Sequence, residues 1–285
     1  KIFVLNMDRE KIVIYNYLEL KQGLQTAGKE YGLSQYMVEK ILKKYGIKKR
    51  TYTEAKQAGR KYSCNDDYFK TQSPNMAYIL GLIASDGSIS KKENLIAIQL
   101  LATDKEILEK IAKETKVERP LESYIRKETG HEISSFRCWS KAWKDDLSHY
   151  GIEPEKTFSL KPPVFLKDKY AIDYIRGYFD GDGSIYYLEK TNRIFFEIAG
   201  ASKAAIDWIQ DKLVNQYHIV INKPLKETRP NGTIMYKIKI GDKDEIRKLY
   251  NFLYHSDNIL FLKRKNDKFK TLLNIPRDSN SSSEE

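Results

Sequence analysis

Apolar residues recur along the first fifty positions at the spacing of short amphipathic helices. The pattern predicts helices in DREKIVIYNYLELKQ (8–22), LQTAGKEYG (24–32) and SQYMVEKILKKYG (34–46). Gly32 is suited to end the second helix, and Ser34 can cap the third through its hydroxyl. Two short helices joined by a glycine-containing turn indicate a helix-turn-helix domain. The alternative is a small helical bundle with a solvated, lysine-rich end.

From Tyr78 onward the hydrophobic pattern occurs twice. YILGLIASDGSI (78–89) and YIRGYFDGDGSI (174–185) coincide at seven of twelve positions, at an offset of 96. The segments that follow, 94–111 and 192–209, resemble each other at an offset of 98, which predicts a second hairpin loop two residues longer. Period-two alternation predicts strands at LIAIQL, IFFEIAG, SFRCWS and MYKIKI, and DKEILEKIAKE predicts a helix.

Each half is therefore predicted to contain a helix, two strands, a helix, two strands and a helix. Duplication of this length predicts two pseudosymmetric subdomains. The predicted organisation is a helix-turn-helix-like domain (1–50), a basic linker (51–76), a first repeat (77–153), an inter-repeat linker (154–169), a second repeat (170–273) and a disordered tail (274–285).

Charge and composition narrow the class of partner. The chain has 50 Lys and Arg against 39 Asp and Glu, a net charge of +11, which favours a polyanion such as nucleic acid. The alternative is a basic protein with a well-solvated surface. No apolar run approaches the roughly 20 residues that a membrane span needs, so no membrane association is expected. Two cysteines, Cys64 and Cys138, suit small apolar fillers in an intracellular, reducing compartment.

Small residues form a stripe on each motif helix. Gly81 and Ser85 are four residues apart, as are Gly177 and Gly181, so each pair lies on one helix face. Glycine inside a helix is unfavourable by about 0.5–1 kcal/mol relative to Ala. Close approach of two backbones would compensate for this loss. The stripes predict that the two motif helices pack against each other along a pseudo-twofold axis.

Each motif ends in Asp-Gly, at Asp86 and at Asp182. Gly87 and Gly183 are predicted to adopt the left-handed conformation that ends a helix. A carboxylate is disfavoured at a helix C-terminus, and two that meet there would repel each other. A divalent cation such as Mg²⁺ between them would relieve the repulsion and could activate water at a phosphodiester. The alternative for a single copy is an ordinary turn; duplication argues against it.

These residues resemble the LAGLIDADG homing endonuclease family. The nine-residue cores are ILGLIASDG (79–87) and IRGYFDGDG (175–183), and the resemblance covers about 78–269. It implies an α+β, pseudosymmetric αββαββα saddle of the single-chain type, a monomer, here preceded by a small all-α domain. It also implies that Asp86 and Asp182, with the backbone of Ser85 and Gly181, hold Mg²⁺ or Mn²⁺, whereas Ca²⁺ binds without supporting cleavage. The family's earlier acid is Ala84 in the first copy and Asp180 in the second.

The resemblance also implies polar residues beside the metals. Gln99 and Glu197 are interpreted as matching repeat positions on the strand after each motif. A basic residue late in each half is expected to support the water network. The candidates are Arg137 in the first half and Lys237 or Lys239 in the second, and the choice between the latter depends on strand register. The alternative for all of them is a contact to phosphate or base without a catalytic role.

Contacts to DNA are expected from the third helix and from the strand hairpins, where every second side chain faces one side. The closing run LFLKRKNDKFK is expected to contact phosphate. The candidate DNA-binding residues are Ser34, Gln35, Tyr36, Lys91, Lys92, Arg126, Lys127, Arg137, Tyr186, Arg193, Arg229, Lys237, Lys263, Arg264 and Lys265.

The function implied is staggered, metal-dependent cleavage of double-stranded DNA at a long, largely asymmetric site. Two alternatives share the fold: a DNA-binding regulator that does not cleave, and an RNA-splicing maturase. The four histidines lack metal-ligand spacing, and neither GxxxxGK[ST] nor GxSxG occurs.

Overall fold

The computed structural model describes residues 9–51, 54–55, 61–256 and 258–274. The chain divides into two compact units, Lys1–Ser63 (unit 1) and Cys64–Glu285 (unit 2). Predictions for the polar tail DSNSSSEE, for the first eight residues and for parts of the basic linker lie outside the described residues.

Unit 1 contains three helices around its own apolar core. The helices are α1 (Arg9–Leu18), α2 (Leu24–Lys29) and α3 (Gln35–Lys44). Gly32 has a φ of 64°, and the Ser34 hydroxyl accepts a hydrogen bond from the Met37 amide, so both predicted boundaries are confirmed. The core consists of Val13, Tyr17, Ala27, Val38, Ile41 and Leu42.

Arg50 fastens the segment after α3 onto α1. Its guanidinium lies 4.0 Å from the centroid of the Tyr17 ring and donates to the Tyr17 carbonyl, while the Arg50 amide donates to the Tyr17 hydroxyl at 2.8 Å. The guanidinium also donates to the carbonyls of Lys21 and Gln22. Carbonyls that follow α1 thereby gain donors that the helix itself does not supply.

Unit 2 contains the duplicated order of helices and strands that the sequence predicts. The first half comprises α4 (Pro74–Ser85), β1 (Gly87–Ile89), β2 (Leu95–Leu101), α5 (Lys105–Glu114), β3 (Glu122–Ile125), β4 (Glu132–Trp139) and α6 (Lys141–His149). The second half comprises α7 (Ala171–Asp182), β5 (Gly183–Leu188), β6 (Arg193–Gly200), α8 (Lys203–Asp211), β7 (Leu225–Thr228), β8 (Ile234–Ile240), α9 (Lys243–Leu253) and α10 (Lys263–Leu273).

Each half has a four-stranded antiparallel sheet, in the orders β1-β2-β4-β3 and β5-β6-β8-β7. Alternate strand residues, such as Ile96 and Ile98 on β2 and Phe196 and Ile198 on β6, are buried in one continuous core. The helices cover this buried side of each sheet, and the outward faces carry polar and aromatic side chains. The predicted α+β, pseudosymmetric architecture is confirmed.

The first hairpins of the two halves differ in length. Gly87 pairs with Ile98, eleven residues later, whereas Gly183 pairs with Ile198, fifteen residues later. The predicted two-residue lengthening of the loop is wrong: the additional residues lengthen the paired strands. Equivalent positions on β2 and β6 are consequently 100 residues apart in the sequence.

A buried charge network braces the second half. The Arg176 side chain is fully buried, and it donates from Nε to the Leu260 carbonyl and from Nη1 to the Leu253 carbonyl, each at 2.8 Å. Its Nη2 lies 2.8 Å from Asp173 Oδ1, which also lies 3.0 Å from His255 Nε2. A buried carboxylate requires such partners, because its uncompensated charge would be strongly unfavourable.

Cys138 is buried and Cys64 is half-buried. Across the described part of the chain, no helix combines the length and apolar character needed to cross a membrane.

Candidate active site

The two motif helices, α4 and α7, contact each other backbone to backbone. A Cβ added at Gly81 would stand 2.0 Å from the Tyr174 carbonyl oxygen, and one added at Gly177 would stand 2.0 Å from the Tyr78 carbonyl oxygen. A Cβ at Gly181 would stand 2.0 Å from Ser85 Oγ. The contacts are reciprocal, so the predicted small-residue interface between the halves is confirmed.

This packing brings the C-terminal ends of α4 and α7 together, with Asp86 and Asp182 side by side. Asp86 Oδ2 lies only 3.2 Å from where a Cβ at Gly181 would stand. Both side chains are open to solvent at one side, while surrounding protein crowds them on the others. Desolvation, followed by the charge of Asp182, raises the pKa of Asp86 to about 6. Desolvation likewise raises the pKa of Asp182.

The glycines after the two acids do not adopt the predicted left-handed conformation. Gly183 is extended, with φ −92° and ψ 167°, and Gly87 is also outside the left-handed region. Each helix passes directly into a strand, which needs extended backbone. Glycine is required for space instead: a Cβ at Gly87 would stand 2.6 Å from Ile83 Cα, and one at Gly183 would stand 2.7 Å from the Phe179 carbonyl oxygen.

Two lysines close the C-terminal ends of the motif helices in a pseudosymmetric arrangement. Lys156 Nζ donates to the carbonyls of Ser85 and Gly87. Lys265 Nζ donates to the equivalent carbonyls of Gly181 and Gly183, at 3.2 and 2.7 Å, and to the Phe179 carbonyl. Positive charge at a helix C-terminus is favourable, and here it also offsets the neighbouring carboxylates.

Burial lowers the pKa of both lysines. Desolvation lowers the pKa of Lys265 to about 8 and also lowers the pKa of Lys156, while Asp86 and Asp182 act in the opposite direction. Lys265 was predicted to contact DNA as part of the closing run, but its side chain is buried and its ammonium is engaged by the carbonyls at the end of α7. Lys156 was not predicted at all; it lies in the segment interpreted as the inter-repeat linker, and no motif marks it.

Asp180, the earlier acid of the second motif, organises one side of the site only. Its Oδ2 accepts from the Tyr78 hydroxyl at 2.8 Å and from the Leu262 amide at 2.6 Å. Leu262 precedes α10, the helix that carries Lys265, so Asp180 connects that helix to both motif helices. Burial raises the pKa of Asp180 to about 6. The first half has Ala84 at this position and therefore lacks the connection.

Strand register corrects one pair of predicted positions. Gln99 follows Ile98, the partner of Gly87, whereas the residue that follows Ile198, the partner of Gly183, is Ala199. Gln99 and Glu197 therefore do not match: by the sheet pairing, Gln99 corresponds to Ala199. The sequence offset of 98 missed this because the additional residues lie in the strands.

The same register settles which lysine corresponds to Arg137. Arg137 pairs with Ala97, and Lys239 pairs with Glu197, the equivalent position on β6. Lys239 is therefore the counterpart of Arg137, and Lys237 instead lies across from Ala199.

The predicted supporting side chains form two clusters on the outward sheet faces. In the second half, Lys237 Nζ lies 2.5 Å from Glu227 and 3.4 Å from Glu197. Lys239 Nζ lies 4.1 Å from the centroid of the Phe195 ring.

In the first half, Arg137 forms an ion pair with Glu122 at 2.8 Å, and its Nε donates to the Ser135 hydroxyl. Gln99 accepts from the Tyr124 hydroxyl at 3.2 Å. The charges that act on the Asp86–Asp182 pair belong to other residues, Lys156, Lys265, Arg264 and Arg229.

The remaining DNA-contact candidates lie at hairpin turns, on outward strand faces and on two helices. Lys91, Lys92, Arg126, Lys127 and Arg229 are exposed at turns, and Tyr186 and Arg193 lie on β5 and β6. Lys263 begins α10, and Arg264 forms a forked pair with Asp104. In unit 1, Tyr36 is exposed, whereas the Ser34 hydroxyl caps α3 and Gln35 donates to Glu39.

A cavity of 450 Å³ opens beside Asp182. Lys156 and Arg229 line it with positive charge, and Ala199 leaves room that a longer side chain would fill. The two halves therefore differ: the first has Gln99 one residue beyond the Gly87–Ile98 pair, and the second has Ala199 and a basic cavity beside Asp182.

The donor set of the pair suits a divalent cation. Carboxylate oxygens are the hard ligands that Mg²⁺ prefers, and mutual repulsion between Asp86 and Asp182 would fall when a cation bound between them. The carbonyls of Ser85 and Gly181 each accept from a lysine and retain a second lone pair. Among the described residues, no group of three or more His, Cys, Asp or Glu could hold a metal. Water or phosphate oxygens would have to complete the coordination.

Comparisons with known proteins give distant similarities. No protein-family model matches the chain. The uncharacterized protein MJ0314 of Methanocaldococcus jannaschii is 27% identical over 140 residues, which cover 47% of this chain and 51% of that protein. The chain therefore matches about half the length of this relative.

Solved structures with a similar arrangement include full-length DUF199/WhiA from Thermatoga maritima, with a TM-score of 0.46 and 16% identity over 76% of this chain and 67% of that one. Meganuclease I-SmaMI bound to uncleaveable DNA has a TM-score of 0.48 and 14% identity, over 73% of this chain and 92% of that one. I-DmoI in complex with DNA and Ca has a TM-score of 0.44 and 16% identity, over 73% and 99%. These scores are below 0.5, so the fold is assigned from the architecture of this chain itself.

That architecture is the LAGLIDADG-like fold that the two motifs predict. Its defining features are all present: two motif helices in contact through glycine, an acid at the end of each, and a four-stranded antiparallel sheet leading from each acid.

Proposed function

We propose that this chain is a divalent-metal-dependent endonuclease that cleaves both strands of duplex DNA at a specific site. The observation that carries the proposal is the Asp86–Asp182 pair, held together by backbone contact between α4 and α7. Desolvation and the charge of Asp182 raise the pKa of Asp86, and desolvation raises the pKa of Asp182. A fold that needed only a helix–helix interface would be more stable without two carboxylates there.

In the proposed reaction, Asp86 and Asp182 would hold the cation, with the carbonyls of Ser85 and Gly181 as further oxygen donors. A bound Mg²⁺ supplies Lewis-acid stabilisation of the charge on the scissile phosphate and lowers the pKa of bound water. Lys156 and Lys265 fix the helix ends, and hence the spacing of the carboxylates, through their carbonyl contacts. On the first side Gln99, one residue beyond the Gly87–Ile98 pair, would orient the attacking water.

The two sheets would supply the duplex contacts. Their outward faces carry the candidates Tyr186, Arg193, Lys237 and Arg137, and the exposed turns carry further basic residues. A monomer with two unequal halves suits an asymmetric target. Because the first side has Gln99 and the second has Ala199 with Arg229 and Lys156, we expect the two strands to be cut at different rates.

The test is cleavage of a duplex library by the unaltered protein with Mg²⁺, compared with EDTA, followed by the same assay with Asp86→Asn and Asp182→Asn. Unaltered protein should yield staggered ends, passing through a nicked intermediate. Each variant should bind the selected site and lose cutting by about 10²–10³-fold, the scale seen when one essential electrostatic group is removed. Asp207→Asn, an exposed acid paired with Lys203 on α8, is the matched control and should cut normally.

Cutting that persists with EDTA, or in both Asp→Asn variants, would exclude this site as the origin of the activity. A DNA-binding protein that does not cleave is the second candidate. It is favoured by one observation: Lys156 and Lys265 already place two positive charges next to the carboxylate pair. Specific binding without cleavage under Mg²⁺ or Mn²⁺ would support that second function.

A further inference from the structure

Positive charge is concentrated in unit 1. Its 63 residues contain 14 Lys and Arg against 6 Asp and Glu, a net charge of +8, while the remaining 222 residues contain 36 against 33, a net charge of +3. Polyanion affinity depends on how many phosphates basic side chains neutralise, because each one releases condensed counterions. Most of the excess charge therefore lies outside the unit that holds the candidate active site.

Several basic residues of unit 2 are engaged by its own carboxylates. Arg137 pairs with Glu122, Lys237 pairs with Glu227 at 2.5 Å, and Lys91 pairs with Glu155 at 2.5 Å. A phosphate would have to compete with these carboxylates. Unit 2 is thus suited to contacts with DNA shape and bases more than to strong, sequence-independent attraction to phosphate.

Unit 1 instead presents a continuous basic surface, which we term the α3 basic face and define as Tyr36, Lys40, Lys43 and Lys48. Tyr36, Lys40 and Lys43 are spaced by four and three residues, so they lie in one row along the helix. The Tyr36 side chain is 65% exposed, and Lys40 Nζ lies 4.8 Å from its ring centroid. A groove of 610 Å³ runs between this row and the segment that contains Lys48.

Glu39, the acid that lines this groove, already has side-chain partners, and the segment beside the groove is held in place. Glu39 accepts from Lys49 Nζ at 2.8 Å and from the Gln35 amide at 3.1 Å. Arg50 fixes the chain immediately after Lys48 and Lys49 through its contacts with Tyr17. Favourable interaction with the helix dipole explains a lysine in the last turn of α3, but neither Lys40 nor Lys48 lies there.

We propose that the α3 basic face binds the phosphate backbone of duplex DNA independently of sequence and supplies most of the chain's salt-dependent affinity. Lysine ammonium groups and a tyrosine hydroxyl are common donors to phosphate oxygens. The choice of duplex DNA as the partner rests on the proposed function. Unit 1 would raise the local concentration of DNA around unit 2, and the outward sheet faces would select the site.

The experiment measures binding of the full chain to a 40-base-pair duplex of random sequence, in EDTA, as a function of salt concentration. The test variant combines Lys40→Gln, Lys43→Gln and Lys48→Gln. The control combines Lys113→Gln, Lys141→Gln and Lys243→Gln, three exposed lysines on helices α5, α6 and α9 of unit 2. Both variants lose three positive charges, so net charge is matched. Circular dichroism and thermal unfolding verify that both remain folded.

The slope of log K against log salt should become shallower by about 2–3 in the test variant, because each lost phosphate contact removes about 0.9. Affinity at low salt should fall at least tenfold, and the control should keep the slope of the unaltered protein. Equal slopes in the two variants, or a larger change in the control, would overturn the proposal.

A second arm uses vesicles with 30% anionic phospholipid. If the test variant loses vesicle binding while its duplex slope is unchanged, the surface serves a membrane and the proposal is overturned. Neither arm requires a target site or a divalent metal. A failed cleavage assay would therefore contradict the proposed nuclease activity and leave this result intact.

Discussion

Replacing Gly81 with Ala should separate the two motif helices and destabilise unit 2. The new Cβ would stand 2.0 Å from the Tyr174 carbonyl oxygen and 2.9 Å from the Tyr178 amide nitrogen. Ordinary contacts between such atoms are about 3.5 Å, so the helices must move apart by at least about 1 Å. Both obstructing atoms belong to the backbone, and no side-chain rotation can relieve the clash.

The expected magnitude follows from two opposing effects. Ala is favoured over Gly inside a helix by about 0.5–1 kcal/mol. Overpacking typically destabilises by about 1–3 kcal/mol, and a gap of 0.5–1 Å along the rest of the interface forfeits a quarter to half of each contact. We expect a net loss of about 2 kcal/mol, or roughly 4–8 °C in Tm for a unit of this size. Cleavage should also fall, since the same interface sets the spacing of Asp86 and Asp182.

A matched pair of variants tests the reasoning by urea and thermal unfolding. Ala at Gly181 clashes with the Ser85 side chain instead, at 2.0 Å from Oγ and 2.6 Å from Cβ. Ser85→Gly should therefore rescue Gly181→Ala, with a coupling free energy of about 1–2 kcal/mol in a double-mutant cycle. Ser85→Gly should not rescue Gly81→Ala. If Gly81→Ala proved as stable as the unaltered protein, the helices could not cross as described.

Three further predictions concern charge and capping. Asp86→Asn should stabilise the metal-free protein above about pH 6: a pKa raised from 3.8 to about 6 corresponds to roughly 3 kcal/mol, which solvent screening reduces to about 1 kcal/mol. The native state binds the additional proton between about pH 4 and 6, so the stability of the unaltered protein falls as the pH rises through that window. Asn therefore gives no advantage below about pH 4. Urea melts in EDTA would contradict this if the stability difference persisted in acid. Arg176→Leu should destabilise unit 2 by about 3–5 kcal/mol because Asp173 is left buried and uncompensated. A loss below about 1 kcal/mol in thermal unfolding would refute that role. Arg50→Ala should lower the unfolding free energy of unit 1 by about 1–2 kcal/mol through loss of its carbonyl contacts and its stacking on Tyr17, measured by amide hydrogen exchange on α1; unchanged exchange there would count against it.

Much of the fold follows from local and periodic signals in the sequence. The alternating residues of β2 and β6 predicted strands with one buried face, Gly32 predicted the end of α2, and Ser34 predicted the start of α3. The duplicated motif indicated both acids and the helix interface, because glycine at four-residue spacing has few other uses in a helix. These inferences concern residues close together in the chain, where backbone geometry alone relates sequence to structure.

Strand register cannot be predicted from these local signals, because it depends on how many residues in each hairpin form hydrogen-bonded pairs. The halves align in sequence at an offset of 98, whereas equivalent positions on the paired strands are 100 residues apart. The structural equivalent of Gln99 is therefore Ala199 and not Glu197. Side-chain periodicity is two residues, so a shift of two preserves the hydrophobic pattern and leaves no trace in it. Only the hydrogen-bonded sheet distinguishes Lys239 from Lys237 as the counterpart of Arg137.

The sequence by itself determined the two carboxylates, the duplication that pairs them and the glycine surface that lets their helices meet. Tertiary structure alone decided what surrounds them. Lys156 and Lys265 reach the ends of α4 and α7 from segments about 70 and 80 residues further along the chain, and no spacing rule connects such positions. Contacts between a buried ammonium and distant carbonyls depend on how whole helices pack, whereas a sequence motif reflects only interactions between neighbouring residues.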